Sequence, residues 1–416
     1  MKKFVVFVLA LLFVNGLSAQ VKPGIETLRD DKFKMLEGKR VGLITNQTGV
    51  DSRLKSTIDI LFEAPNVNLV ALYSPEHGIR GDVTAGENIA DAKDVRTDLP
   101  IYSLYGPTKK PTPEMLKEVD ILLYDLQDIG CRSYTNISTM GLAMEAAAEN
   151  NIEFMVLDRP NPLGGNRFEG QPNVEPGLIS FVSQFPITYV HGFTVGELAK
   201  FLNEEGMLKN GVKCKLSVAK MKGWKRKMNF EATGLPWVLS SPHIPHPNTA
   251  YFYVLAGIFG ELHPFYIGIG YTLPFEFFCA EWIDAEKLSA NLNALGIPGA
   301  LFRPVHYRPY YNLRDSKYSF KEAAYLHGVQ TYITDFDKIP LSLIQFYVLQ
   351  ECYKLHPDKN VFELHQDRWK MFDQVCGTSR IREAFAKDFT VKSIEGIWNE
   401  GVDSFKENAK KYFLYK

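Results

Sequence analysis

The residues of this chain best suited to chemistry are carboxylates placed directly behind apolar runs. Glu76 stands in Ser74–Pro75–Glu76–His77–Gly78, immediately after Val67–Tyr73. Proline fixes its own φ and biases the residue before it toward extended backbone, so Glu76 is carried on a stiff turn. A glutamate at a pocket mouth near apolar walls can serve as a general acid. The same residue in an ordinary loop would cap a helix or pair with Arg80. Asp125 and Asp128 follow Ile121–Leu122–Leu123 on one turn, with Arg132, Tyr134 and Thr135 close behind. Paired carboxylates are the minimum equipment for glycoside hydrolysis, the usual beginning of a Mg²⁺ or Ca²⁺ site, and equally the makings of a structural Asp–Arg network. Spacing alone leaves all three open. Arg132, Tyr134 and Asn161 are types that hold ligands, Arg by bidentate pairing with carboxylates, whereas Asp158–Arg159 reads as an internal ion pair. His243 and His246 are spaced H-x-x-H. Pro242, Pro245 and Pro247 exclude the helix that an H-E-x-x-H zinc site needs, so both read as pocket lining or loop, and no metal is assigned.

These groups need elements to position them. Lys39–Thr45, Val67–Tyr73, the run from Ile121 and Glu153–Leu157 have the length and composition of buried parallel strands. Between them Leu54–Phe62, Pro113–Val119 and Ile137–Asn150 have helical character. Such alternation predicts a parallel sheet with crossover helices. Four strands end in polar clusters: Asn46, Glu76–His77, Asp125–Asp128 and Asp158–Arg159–Asn161. In a parallel sheet those ends share the edge where ligands bind. Thr194–Gly206 is an amphipathic helix with Thr194 and Glu197 placed as a capping box and Gly206 as its stop, and Cys214–Val218 is one more strand. Lys220–Lys227 carries five Lys/Arg around Trp224 and reads as a solvated face. From Trp237 the character changes to Pro/His-rich and aromatic stretches, with helices returning at Leu341–Leu355 and near the C-terminus. The expected organisation is a leader at 1–19, a parallel-sheet α/β domain at 20–235 and a second, α+β domain at 236–416.

The chain has 416 residues, 45% hydrophobic and 23% charged, with formal net charge −1. That balance argues against a nucleic-acid partner. Met1–Lys2–Lys3 followed by the apolar Phe4–Val14 and the polar Asn15–Gln20 reads as a secretory signal, which predicts export to the periplasm or beyond and no stable membrane insertion once it is removed. The five cysteines are widely spaced without a C-x-x-C; export permits disulfides, but nothing in the spacing pairs them. A P-loop, a full G-x-G-x-x-G and a G-x-S-x-G elbow are all missing, which lowers nucleotide and serine-hydrolase readings, and no cofactor is expected.

Taken together, GLITNQTG (42–49), SPEHGIRG (74–81), LLYDLQDIGCRSYT (122–135), LDRPNPLGG (157–165), the EGQP–EPG segment (169–177) and GFTVGELA (192–199) resemble the NamZ-type exo-β-N-acetylmuramidase family. The resemblance implies an enzyme that removes N-acetylmuramic acid (MurNAc) from the non-reducing ends of peptidoglycan fragments, with MurNAc–GlcNAc saccharides as partners, and it implies a Rossmann-like α/β first domain, a smaller α+β second domain and an active site in the cleft between them. It implies Glu76 as general acid/base, with Asp125 and Asp128 beside it and Asn46, His77, Arg132, Tyr134 and Asn161 as substrate-binding neighbours; the lactyl carboxylate of MurNAc would suit a cationic Arg. Many relatives have an E-G-R-G-T run before a Pro–Phe–Glu that matches Pro274–Phe275–Glu276. Here Ile267–Gly268–Ile269–Gly270–Tyr271 stands in its place, with isoleucines where the charged pair would be. That departure motivates one alternative, a non-catalytic muropeptide-binding protein; Asp125 and Asp128 motivate another, a metal-dependent hydrolase.

Overall fold

From residue 40 to 219 the apolar runs pair into one seven-stranded sheet: β1 (Arg40–Thr45), β2 (Asn68–Ser74), β3 (Ala92–Lys93), β4 (Pro100–Ser103), β5 (Ile121–Asp125), β6 (Glu153–Leu157) and β7 (Lys215–Ala219). The structure is a computed structural model and describes residues 20–76, 78–80, 92–308 and 325–416; the leader and His77 lie outside them. The strand order is β3-β4-β2-β1-β5-β6-β7, parallel throughout except for the antiparallel edge strand β3. Successive side chains of a strand point to opposite faces, and here both faces are covered. Leu43, Leu123 and Met155 pack on one side with Ile25, Leu28 and Ile58. Ile44, Leu122, Tyr124 and Phe154 pack on the other with Met140, Met144 and Leu198. The expected Rossmann-like layer is therefore present.

Local chemistry sets the helix boundaries. The helix expected from Leu54 begins instead at Thr57, because Ser56 caps it by accepting from the Asp59 amide at 3.0 Å. Leu54 is exposed with φ +66°. Pro113 opens a short helix, Pro113–Leu116. The capping box of Thr194 and Glu197 is formed in both directions.

After residue 248 the chain builds an antiparallel sheet, order β8-β10-β9, from β8 (Phe277–Ala280), β9 (Ala300–Tyr307) and β10 (Leu326–Ile333). Helices Thr249–Leu262, Ala285–Ala294 and Ile344–Leu355 pack with it in a core that also takes in Ile129, Cys131, Tyr189 and Val190 from the first half. The end of the chain returns to the first sheet's layer. Phe405, Ala409 and Tyr412 enter its core, the Leu414 amide donates to Glu197 at 2.8 Å, and the Tyr415 hydroxyl donates to Asp158 at 2.6 Å. The Lys220–Lys227 run is thus only partly a solvated face. Trp224 is buried edge-on to Tyr415, and the Arg226 guanidinium lies 3.3 Å from the Phe413 ring centroid and pairs with Glu197. All five cysteines are buried and unpaired.

Candidate active site

The parallel strands do bring the four polar ends to one edge, but the groups there have two different fates. In doubly wound sheets the ligand crevice lies where the strand order reverses, here between β1 and β5. This chain fills that place itself. The Asp125 carboxylate is fully buried, bonded by both Arg159 Nε and Nη2 (the latter at 3.0 Å) and by the Thr57 hydroxyl. Thr45 Oγ1 donates to the Asp125 carbonyl at 2.9 Å. The space left beside them is about 20 Å³. Asn46 closes an Asx turn, accepting from the Thr48 amide and hydroxyl at 2.9 and 2.6 Å. Asn161 accepts from the Leu163 amide and donates to the Phe193 carbonyl, both at 2.9 Å. Asp128 accepts from the Gly130 amide at 2.7 Å and meets His191 Nε2 at 3.2 Å. His191 Nδ1 accepts from the Phe193 amide at 3.3 Å, which places the ring proton on Nε2 facing Asp128.

Arg132 is the largest correction. Expected to hold a substrate carboxylate, it is 1% exposed and donates to four backbone carbonyls. These are Gln171 and Ile187 at 3.0 and 2.7 Å, and Val375 and Cys376 at 3.1 and 2.8 Å. The last two end the helix Trp369–Cys376, so the guanidinium sits at the negative end of a helix dipole and ties the two halves of the chain together. Burial brings its pKa down to about 10, which leaves it charged at neutral pH. Asn46, Asp125, Asp128 and Asn161 are likewise engaged by the protein, and none of the five lines the cavity that Glu76 lines.

That cavity, about 280 Å³, lies one strand further along the edge and between the two halves. The first half supplies Glu76 behind β2, Tyr105 and Lys109 behind β4, Ser133–Tyr134–Thr135 behind β5, and Phe181. The second half supplies His243, Tyr253, Glu261, Ile267, Ile269, Phe275 and Met371. Glu76 Oε2 accepts from Thr135 Oγ1 at 2.7 Å. Tyr134 lies edge-on to Tyr253, 5.8 Å between centroids, and Tyr253 edge-on to Phe275 at 5.1 Å. This aromatic wall suits the apolar face of a sugar. Burial holds the Tyr134 phenol above its usual range, so it stays a proton donor. Ile267 and Ile269 are 6% and 7% exposed and put methyl groups on the opposite wall.

Of the residues expected at the site, Glu76 and Tyr134 are brought together here. Glu261 was missed. It ends the helix Thr249–Leu262 in a run that is otherwise apolar, and its carboxylate is 3.3 Å from Arg368. A lone carboxylate near the end of an apolar helix was the available signal. Two carboxylates thus line one cavity from opposite halves, and paired carboxylates are the minimum equipment for glycoside hydrolysis. Among the described residues no group of three or more His, Cys, Asp or Glu could hold a metal ion, and Asp125, which a metal reading requires, is already neutralised by Arg159.

Comparison with known proteins agrees with this architecture. Residues 41–248 match the model for the exo-β-N-acetylmuramidase NamZ N-terminal domain, and residues 251–415 the model for its C-terminal domain. The peptidoglycan β-N-acetylmuramidase NamZ of Bacillus subtilis (strain 168) is 44% identical over 396 residues, 95% of this chain and 92% of that protein. A crystal structure of a DUF1343 family protein from Bacteroides fragilis NCTC 9343 superposes with TM-score 0.90 at 57% identity, covering 95% of this chain and 99% of that one. A second from the same organism gives 0.74 at 29% identity, covering 96% and 99%. The match spans both halves of the chain and the cleft between them: the chain belongs to the NamZ exo-β-N-acetylmuramidase family.

Proposed function

We propose that the chain hydrolyses the β-glycosidic bond of a terminal MurNAc in peptidoglycan fragments, with Glu76 as the general acid/base. Family membership makes it a glycoside hydrolase of the exo-β-N-acetylmuramidase kind. The observation that carries the assignment to Glu76 is its position: of the polar strand ends expected to build the site, it is the carboxylate that faces the cavity. Thr135 fixes one oxygen of this carboxylate in the wall of the cavity. A general acid must deliver a proton to that oxygen as the bond breaks, and a group held on a Pro-stiffened turn is already in position. The volume of the cavity, about 280 Å³, is near the lower end of small-ligand sites and favours one terminal sugar over a long strand.

The leader, if it acts as a secretory signal, delivers the enzyme to the compartment where wall fragments arise. Among the described residues no helix is long and apolar enough to cross a membrane. The test is incubation of the mature chain with a MurNAc–GlcNAc disaccharide, with and without EDTA. Release of MurNAc in both arms is expected. Binding without release would support a muropeptide-binding protein, and release abolished by EDTA a metal-dependent hydrolase.

A further inference from the structure

We propose that Lys109 is the residue that reads the lactyl carboxylate of MurNAc. This rests on the muramidase reading above and adds the feature that separates MurNAc from the otherwise similar GlcNAc. The 3-O-lactyl group carries a negative charge, and the cavity must place it somewhere. Both ionisable carboxylates on the walls, Glu76 and Glu261, repel it. The wall of Ile267, Ile269, Phe275 and Met371 offers no hydrogen-bond donor from its side chains. Arg132, the cation expected for this task, is buried outside the cavity, with its two terminal nitrogens held by four carbonyls.

Among the described residues lining the cavity, Lys109 is the only lysine or arginine. Its ammonium lies 4.7 Å from the Phe181 ring centroid and has no carboxylate partner among the described residues. Its surroundings hold it in place. The neighbouring Lys110 is anchored to Glu149 at 2.7 Å and to Glu145 at 3.2 Å. Ser138 Oγ donates to the Phe181 carbonyl at 2.7 Å, and Tyr105 packs on the Phe181 ring with centroids 6.1 Å apart. An ammonium lodged on an aromatic ring at the cavity's edge, otherwise uncompensated, is placed to pair with an incoming carboxylate. The sugar then enters with its lactyl arm toward the loop behind β4 and its apolar face toward Tyr134 and Tyr253.

The experiment pairs two ligands, MurNAc and its lactyl methyl ester, in which a methyl group replaces that charge, and their 4-nitrophenyl β-glycosides as substrates. Lys109→Gln should weaken MurNAc binding by calorimetry, and raise KM for the acid substrate, by roughly tenfold or more, the effect of losing one charge-assisted hydrogen bond. The kcat and the constants for the ester should stay near wild type, and Lys109→Arg should restore most of the loss. Equal effects on acid and ester, or no effect on either, would overturn the proposal. A wild-type chain that hydrolyses neither substrate would count against the glycosidase reading instead. The binding arm would then decide on Lys109 by itself.

Discussion

At the scale of single residues, type and function separate. Asp125, Arg132 and Asn161 are the types that bind sugars, and they stand at strand ends where sugars bind. Yet each is turned inward to a partner the sequence does not mark. Arg132 meets Val375 and Cys376 across more than half the chain, and Asp125 meets Arg159 from the next strand. Of the expected residues that the structure describes, Glu76 and Tyr134 face the cavity, because they lie toward the second half rather than at the crevice the chain has filled. Two outcomes follow from these roles. Asp125→Asn leaves Arg159 buried beside a neutral partner and should lower unfolding free energy by about 3–5 kcal/mol, read by urea denaturation. Arg132→Met strands four carbonyls; it should lower the melting temperature while KM of the surviving folded enzyme, measured well below that temperature, stays close to wild type. A large KM rise for the acid substrate with stability unchanged would return Arg132 to the substrate site.

At the scale of elements, the alternating runs made the parallel sheet legible, since buried strands and amphipathic helices differ in period. The capping box at Thr194 was legible for the same reason: its determinants are local. The boundary at Leu54 was not, because Ser56 captures the helix start. The loop between β5 and the helix Asn136–Glu149 carries Ser133, Tyr134 and Thr135 to the cavity, and Gly130 shapes it. Gly130 has φ +81°, and a Cβ there would stand 2.5 Å from Asn161 Oδ1. Gly130→Ala should therefore cost at least about 1–2 kcal/mol in stability. It should also lower kcat/KM, because Thr135 loses its register with Glu76. A variant that loses stability but keeps full kcat/KM at low temperature would uncouple that loop from catalysis.

At the scale of the whole molecule, the core of the second half takes in residues of the first, and the chain's end is fastened into the first half's layer. Asp158 is the anchor: it accepts from Tyr415, Thr194 and the Gly196 amide. Burial nonetheless lifts its carboxyl from 3.8 to about 7. A carboxyl whose folded pKa is raised holds its proton more tightly when folded. Its contribution is full below the unfolded value and is lost as pH rises through about 7. Wild type should gain stability relative to Asp158→Asn as pH falls from 8 to 5, measured by paired thermal melts. A constant difference across that range would contradict the raised pKa. The return of the tail to the first layer could not be seen in the sequence, since Phe413 and Tyr415 look like any aromatic C-terminus until Arg226 and Asp158 are placed beside them.

The most direct test of the account is Glu76→Gln, which keeps the size of the side chain and an oxygen to accept the Thr135 bond but removes the titratable carboxyl proton. The variant should melt like wild type and bind MurNAc. Its release of MurNAc from a MurNAc–GlcNAc disaccharide should fall by on the order of 10²-fold or more, the contribution of one general acid/base. A folded Glu76→Gln chain that releases MurNAc at the wild-type rate would contradict the assignment of the acid to this residue.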